Sequence, residues 1–163
     1  MKIRKGLFSD REEIKEAHHK SILEICSRDY KKEVVEAWAN IPYDKDRFKK
    51  CLATEHYEVV EIDGVIEGFC HANLPKEQTG EIQGLYLSPK AIGKGIGVKL
   101  VEQAMAYFKK NKVSKVIIMG TRTAKSFYER MGFKQAGNSC FHETRGVKIE
   151  CYPMELNLSL IHI

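Results

Sequence analysis

Residues 81–98 constrain the fold more than any other stretch of this 163-residue chain. A strand-like run at 81–87 meets Ser88-Pro89, then Gly93-Lys94-Gly95-Ile96-Gly97, then a strong helical period. Glycines without Cβ let the backbone turn sharply and approach a ligand closely. Behind them Val98, Val101, Ala104, Met105 and Phe108 recur at helical spacing, and Lys109-Lys110-Asn111-Lys112 puts cations at the helix C-terminus. A glycine loop that opens a helix offers unpaired amides and the positive end of a dipole, a seat for phosphate or pyrophosphate.

The residues around the loop narrow the choice of phosphate ligand. A dinucleotide fingerprint needs Gly-x-Gly-x-x-Gly, and Val98 stands where its last glycine belongs. The acidic ribose ligand expected about 20 residues on is missing, because the chain there reads Val116-Ile117-Ile118-Met119. The Gly-Lys-Ser/Thr of a Walker loop is absent as well.

The remaining pattern predicts an α/β architecture with a mixed central sheet and no linker or repeat. Residues 2–5 suit a short strand. Ser9-Asp10-Arg11-Glu12 forms a capping box that opens a helix to about Cys26 through Ile14, Ala17, His18, Ile22 and Ile25. A second helix carries Val34, Val35 and Trp38 and stops before Pro42. A third, opened by Asp44, uses Phe48 and Leu52. The period then shortens: 57–62 and 65–72 read as strands around Asp63-Gly64, a tight-turn dipeptide. A polar loop follows at 75–80, then strands at 81–87 and 116–119, a short helix at 124–131 closed by Gly132, and strands near 133–136 and 147–156.

Composition excludes several classes. The chain is 43% hydrophobic and 30% charged, the balance of a globular protein, and no apolar run reaches the roughly 18 residues of a membrane span. Five cysteines with no Cys-x-x-Cys argue against a disulfide framework or zinc site and for a reducing, cytoplasmic compartment. The net charge of +5 comes from scattered lysines with no aromatic interleaving, which points to solubility and away from nucleic acid.

The glycine stretch resembles the cofactor-binding core of the GNAT superfamily of acetyl-coenzyme A-dependent N-acetyltransferases, whose signature is Arg/Gln-x-x-Gly-x-Gly/Ala. Gly95 and Gly97 match its glycines, and Gly93 is a frequent extra one. Leu85-Tyr86-Leu87 followed by Pro89 is similar to the family strand that splays open and pairs with the pantetheine arm. Ala124, Phe127-Tyr128-Glu129 and Gly132-Phe133 resemble the second hallmark, Asn-x-x-Ala-x-x-Phe-Tyr-Glu-x-x-Gly-Phe. The likeness covers about residues 1–156, leaving 157–163 as a C-terminal tail. Two positions depart: Ile92 replaces the Arg or Gln, and Thr121 replaces the Asn. Lys90 or Lys94 are candidates to compensate.

The resemblance implies a mostly antiparallel sheet with helices on both faces and a splayed cofactor strand. It implies acetyl-coenzyme A as co-substrate, held by Leu85, Tyr86, Leu87, residues 92–98 (Ile92, Gly93, Lys94, Gly95, Ile96, Gly97, Val98), Thr121, Ala124 and Tyr128. No metal is expected, since Cys140 and His142 alone make a poor zinc site. Acyl transfer needs an amine stripped of its proton, a donor to the thioester oxygen and an acid for the departing thiolate. Unpaired amides near Leu87 suit the second need and Tyr128 the third. Glu81, fourteen residues before Gly95, resembles the family's base glutamate; His71 is the reserve, and a water chain serves in many members. The acceptor, a small amine, polyamine or peptide N-terminus, is expected near Tyr30, Trp38 and His71. Glu24, Asp29, Glu33, Glu36, Asp44 and Asp46 lie among Tyr30, Trp38 and Tyr43, suiting either a cationic acceptor or a solvated helix face. Dimers are common in the family. A non-catalytic acyl-coenzyme A sensor remains the alternative.

Overall fold

A computed structural model describes residues 1–40 and 42–160. Its elements in chain order are β1 (Lys2–Lys5), α1 (Arg11–Glu24), α2 (Lys32–Ala39), α3 (Lys45–Thr54), β2 (His56–Ile62), β3 (Val65–Lys76) and β4 (Thr79–Leu87). There follow α4 (Ile96–Lys110), β5 (Lys115–Thr121), α5 (Lys125–Arg130), β6 (Lys134–Gln135), β7 (Cys140–Thr144) and β8 (Val147–Asn157). The eight described strands form one sheet in the order β1-β2-β3-β4-β5-β8-β6, with β7 on β8. Every pairing is antiparallel except β4–β5, which α4 connects as a crossover.

Strand alternation distributes the core over two faces. Cys70, Ala72 and Ile82 point to one face and pack with Leu100, Val101, Ala104 and Phe108 of α4 and with Tyr128. Tyr57, Val59 and Phe69 point to the other and meet Ile14 of α1 and Phe48 and Leu52 of α3. Val35 and Trp38 of α2 cover the far end of that face with Ile149 and Cys151. Among the described residues no helix is long and apolar enough to cross a membrane.

Gly80 marks where α4 sits closest to the sheet. A Cβ there would stand 2.4 Å from the Phe108 ring. Gly80→Ala should therefore cost about 1–3 kcal/mol through overpacking and lower the melting temperature by roughly 5 °C. A thermal melt identical to the parent would show that Phe108 has room to move.

Several expectations need correction. The Ser9 capping box does not form: Ser9 is exposed, and the Asp10 carboxylate accepts the Leu7 amide at 2.8 Å across the 3-10 turn Phe8–Asp10, making no side-chain cap on α1. The Arg4 guanidinium holds Asp10 in place through two hydrogen bonds and keeps its carboxyl below the ordinary aspartate range. The polar loop at 75–80 is a tight hairpin, because Gln78 takes φ 61° and Lys76 pairs with Thr79. Pro75, which has no amide to donate, falls within the irregular register between Asn73 and Lys76. Strand β7 was not foreseen as a separate element. The stretch expected as a tail begins inside β8, and Leu158 donates its amide to the Ser114 carbonyl and is buried in the α4 core. Residues 161–163 of that tail lie outside the described residues.

Candidate active site

Strands β4 and β5 pair only at Thr79–Lys115, Gly80–Val116 and Glu81–Ile117, then part. On its other side β4 stays paired with β3 to Leu87, except that Gln83 is bulged between His71–Gly84 and Ala72–Ile82. A bulge bends its strand and re-aims the groups beside it. The main chain from Gln83 to Leu87 therefore faces an open wedge, with amides and carbonyls that β5 does not use.

A cavity of about 500 Å³ fills the wedge on the α4 side. Leu85, Leu87, Ile92, Gly93, Gly95, Gly97, Val98, Thr121, Ala124, Phe127 and Tyr128 all line it. Ser88 anchors the turn at its base, donating its amide and hydroxyl to buried Glu67 at 2.8 and 3.1 Å. Gly93 and Gly95 take φ values of 75° and 74°, the left-handed region, and Gly95 is the N-cap of α4. The first amides of α4 have no intrahelical partner and face this loop. Ile92 is 41% exposed and apolar where the family signature has a polar contact. Lys94 is exposed and does not line the cavity. Thr121 accepts the Ala124 amide at 3.2 Å, so its hydroxyl is engaged in the turn that leads into α5.

Tyr128 is 2% exposed, packed edge-on against Phe127 and Phe133 at ring distances of 5.2 and 5.4 Å. Burial pushes its pKa well above the tyrosine norm, so the hydroxyl stays protonated.

A second cavity, about 650 Å³, opens on the α1–α3 side and shares Gln83, Gly84, Tyr86, Met119 and Thr121 with the first. Trp38 and His71 line it. His18, missed from sequence, and Tyr43 line it too and are hydrogen-bonded to each other. Burial lowers the His18 pKa to about 4, which leaves it neutral, and its Nε2 has no partner among the described residues. The Tyr86 side chain packs into this aromatic wall against His18, Phe69 and Trp38. Its link to the first cavity therefore runs through its backbone. Of the acidic residues named above, Asp44 alone lines the cavity, and it caps α3 through the Asp46 and Arg47 amides. The other five are exposed, which favours the solvated reading.

His71 pairs in register with Gly84, at the junction of the two cavities. Its Nε2 is 2.6 Å from Glu55 Oε1, and Asn73 donates to the other oxygen at 3.3 Å. Burial lowers the His71 pKa and the Glu55 contact partly restores it. Cys51, Glu55 and His71 also bring three ligand-type atoms within 4.8 Å. The 2.6 Å histidine–carboxylate contact is a hydrogen bond, shorter than the spacing of two donors around one Zn²⁺ with bonds of about 2.0 Å.

Two expected residues lie elsewhere. Tyr30 lines neither cavity: its hydroxyl donates to the Glu150 carbonyl at 2.6 Å and accepts the Arg122 amide at 2.7 Å, clamping β5 to β8. Glu81 also lines neither cavity. Its side chain lies where β4 still pairs with β5, and Gln83 donates to it at 2.6 Å.

Known proteins match this arrangement. The family model described as acetyltransferase (GNAT) domain covers residues 26–158. An uncharacterized N-acetyltransferase of Methanocaldococcus jannaschii is 31% identical over 86 residues, 47% of this chain and 38% of that protein. The chain thus matches well under half the length of that relative. A GCN5-related N-acetyltransferase (aminotransferase, class II) from Rhodopseudomonas palustris superposes with a TM-score of 0.83 at 20% identity, over 96% of this chain and 94% of that one. The PaiA N-acetyltransferase from Thermoplasma acidophilum, solved with coenzyme A, gives 0.78 at 22% identity, over 96% and 98%. At such identities the likeness is one of fold.

Proposed function

This chain belongs to the acetyltransferase (GNAT) family, and we propose that as a single domain it transfers acetyl from acetyl-coenzyme A to a primary amine, by direct attack in a ternary complex. The observation that carries the reading is the wedge between β4 and β5, where the cavity lined by the glycine loop, an unpaired strand edge and an aromatic-walled cavity meet at Gln83–Gly84. The PaiA relative's complex with coenzyme A supports the choice of ligand.

In this reading the amides of the glycine loop and the start of α4 take the pyrophosphate, as helix N-termini do. The free edge of β4 pairs with the pantetheine arm and aims amides at the thioester oxygen, where charge develops. The amine nitrogen attacks the carbonyl carbon, the carbon–sulfur bond breaks, and the Tyr128 hydroxyl protonates the leaving sulfur. The geometry favours His71 over Glu81 as the group that takes the amine's proton. His71 lines the acceptor cavity opposite Gly84; Glu81 does not reach it. With Nε2–H held on Glu55, Nδ1 carries the lone pair.

The first test is coenzyme A thiol release with a panel of amines, from small amines and polyamines to peptides with free N-termini. Release with at least one amine is expected. Tight coenzyme A binding without release would make the protein a sensor instead. The base is tested separately. His71→Gln should lower turnover about 10²-fold, and Glu81→Gln should change it much less. Protonation silences His71, and its pKa is depressed, so the acid limb of kcat/KM should lie below the ordinary histidine value of about 6.5. That limb should vanish in His71→Gln. A larger loss in Glu81→Gln would return the role to Glu81.

A further inference from the structure

Strand β7 lies off the main strand order and is held by β8 through the two-residue turn Arg145-Gly146, whose φ values are 47° and 81°. The register runs Thr144–Val147, His142–Ile149 and Cys140–Cys151, each directly opposed. Opposed residues project to the same face, and hydrogen-bonded antiparallel pairs counted from such a turn place Cα atoms about 5.5 Å apart. That separation is the commonest one for a disulfide. Both cysteines are free, and both line the acceptor cavity, Cys140 exposed and Cys151 8% exposed. Burial, with a smaller contribution from the neighbouring Cys140, raises the Cys151 pKa to about 11.

We propose that Cys140 and Cys151 form a thiol-oxidation site, closing to a cross-strand disulfide with a small disulfide oxidant of the glutathione class. The exposed Cys140 thiolate attacks one oxidant sulfur, forming a mixed disulfide and releasing one thiol. Cys151 then loses its proton, attacks Cys140 Sγ and expels the second thiol. Two protein thiols become one disulfide, and the oxidant is reduced to two thiols. The high Cys151 pKa makes the second step the slow one. β7 also supplies Phe141 and His142 to the acceptor cavity, so the bond fixes a wall of that cavity. Cys26 and Cys70 are buried in the core, and neither lines this cavity.

The test treats the full chain with glutathione disulfide, blocks free thiols by alkylation and maps the digest by mass spectrometry. The expected product joins the peptides carrying Cys140 and Cys151, retains no glutathione and reopens with dithiothreitol. A lasting glutathione adduct on Cys140 beside an alkylated Cys151, or a link to Cys51 instead, overturns the site. Cys140→Ser changes an exposed residue and should leave Cys151 unoxidised under the same treatment; oxidation of Cys151 in that variant also overturns it. The link to the cavity rests on the transferase reading, whereas bond formation does not. Oxidation should shift the acceptor KM severalfold, and an unchanged KM removes that link alone.

Discussion

Tyr128→Phe is expected to lower turnover about 10²- to 10⁴-fold while leaving the melting temperature and coenzyme A affinity close to those of the parent. The substitution deletes one oxygen and keeps the ring that packs against Phe127 and Phe133. The loss should be the same at every pH. Burial raises the tyrosine pKa well above its usual value, so the hydroxyl is protonated throughout the working range and no limb of the profile belongs to it. Single-turnover measurements place the effect on the chemical step. A variant that turns over at nearly the parent rate would return Tyr128 to the role its burial alone suggests, a core aromatic.

Gly95→Val should raise the coenzyme A dissociation constant roughly 100-fold, combining backbone strain with two methyls set where the phosphates approach. In the free protein a Cβ at Gly95 meets nothing within 4 Å, so the space is open, but φ is +74°. The thermal protection that coenzyme A gives should shrink accordingly, because ligand stabilisation scales with occupancy of the native state. Gly146→Val is the matched control. It carries φ +81°, is equally uncrowded and lies in the β7–β8 turn, outside both cavities. It should cost stability and leave coenzyme A affinity intact. Equal affinity in Gly95→Val and the parent would exclude this loop as the phosphate seat.

Both residues were legible in the sequence because their signals are local. The glycine loop and α4 lie within one continuous segment, and Tyr128 sits in a motif of short spacing. The Asp44 cap was legible on the same grounds, its partners being only two and three residues away. So was the Asp63-Gly64 turn, whose residues take φ 53° and 79°. The Ser9 box looked equally local and failed. Arg4, bonded to Glu61 on a neighbouring strand, holds the Asp10 carboxylate against the Leu7 amide, and a capping box cannot register that competition.

The sequence by itself therefore determined the family, the glycine loop, the helix behind it and the place of the tyrosine in the second motif. Each depends on residues whose geometry is set by near neighbours. Only the tertiary structure decided which side chains line the wedge and the two cavities. The wedge at Gln83–Leu87 exists because β3 keeps pairing with β4 after β5 has turned away, a matter of register among three strands. Glu55 reaches His71 across 16 positions, and Tyr30 is drawn from the acceptor side by partners 92 and 120 positions away. No periodicity encodes such contacts. They arise when strands already aligned by their apolar faces bring buried polar groups together, and each of those groups must then find a partner.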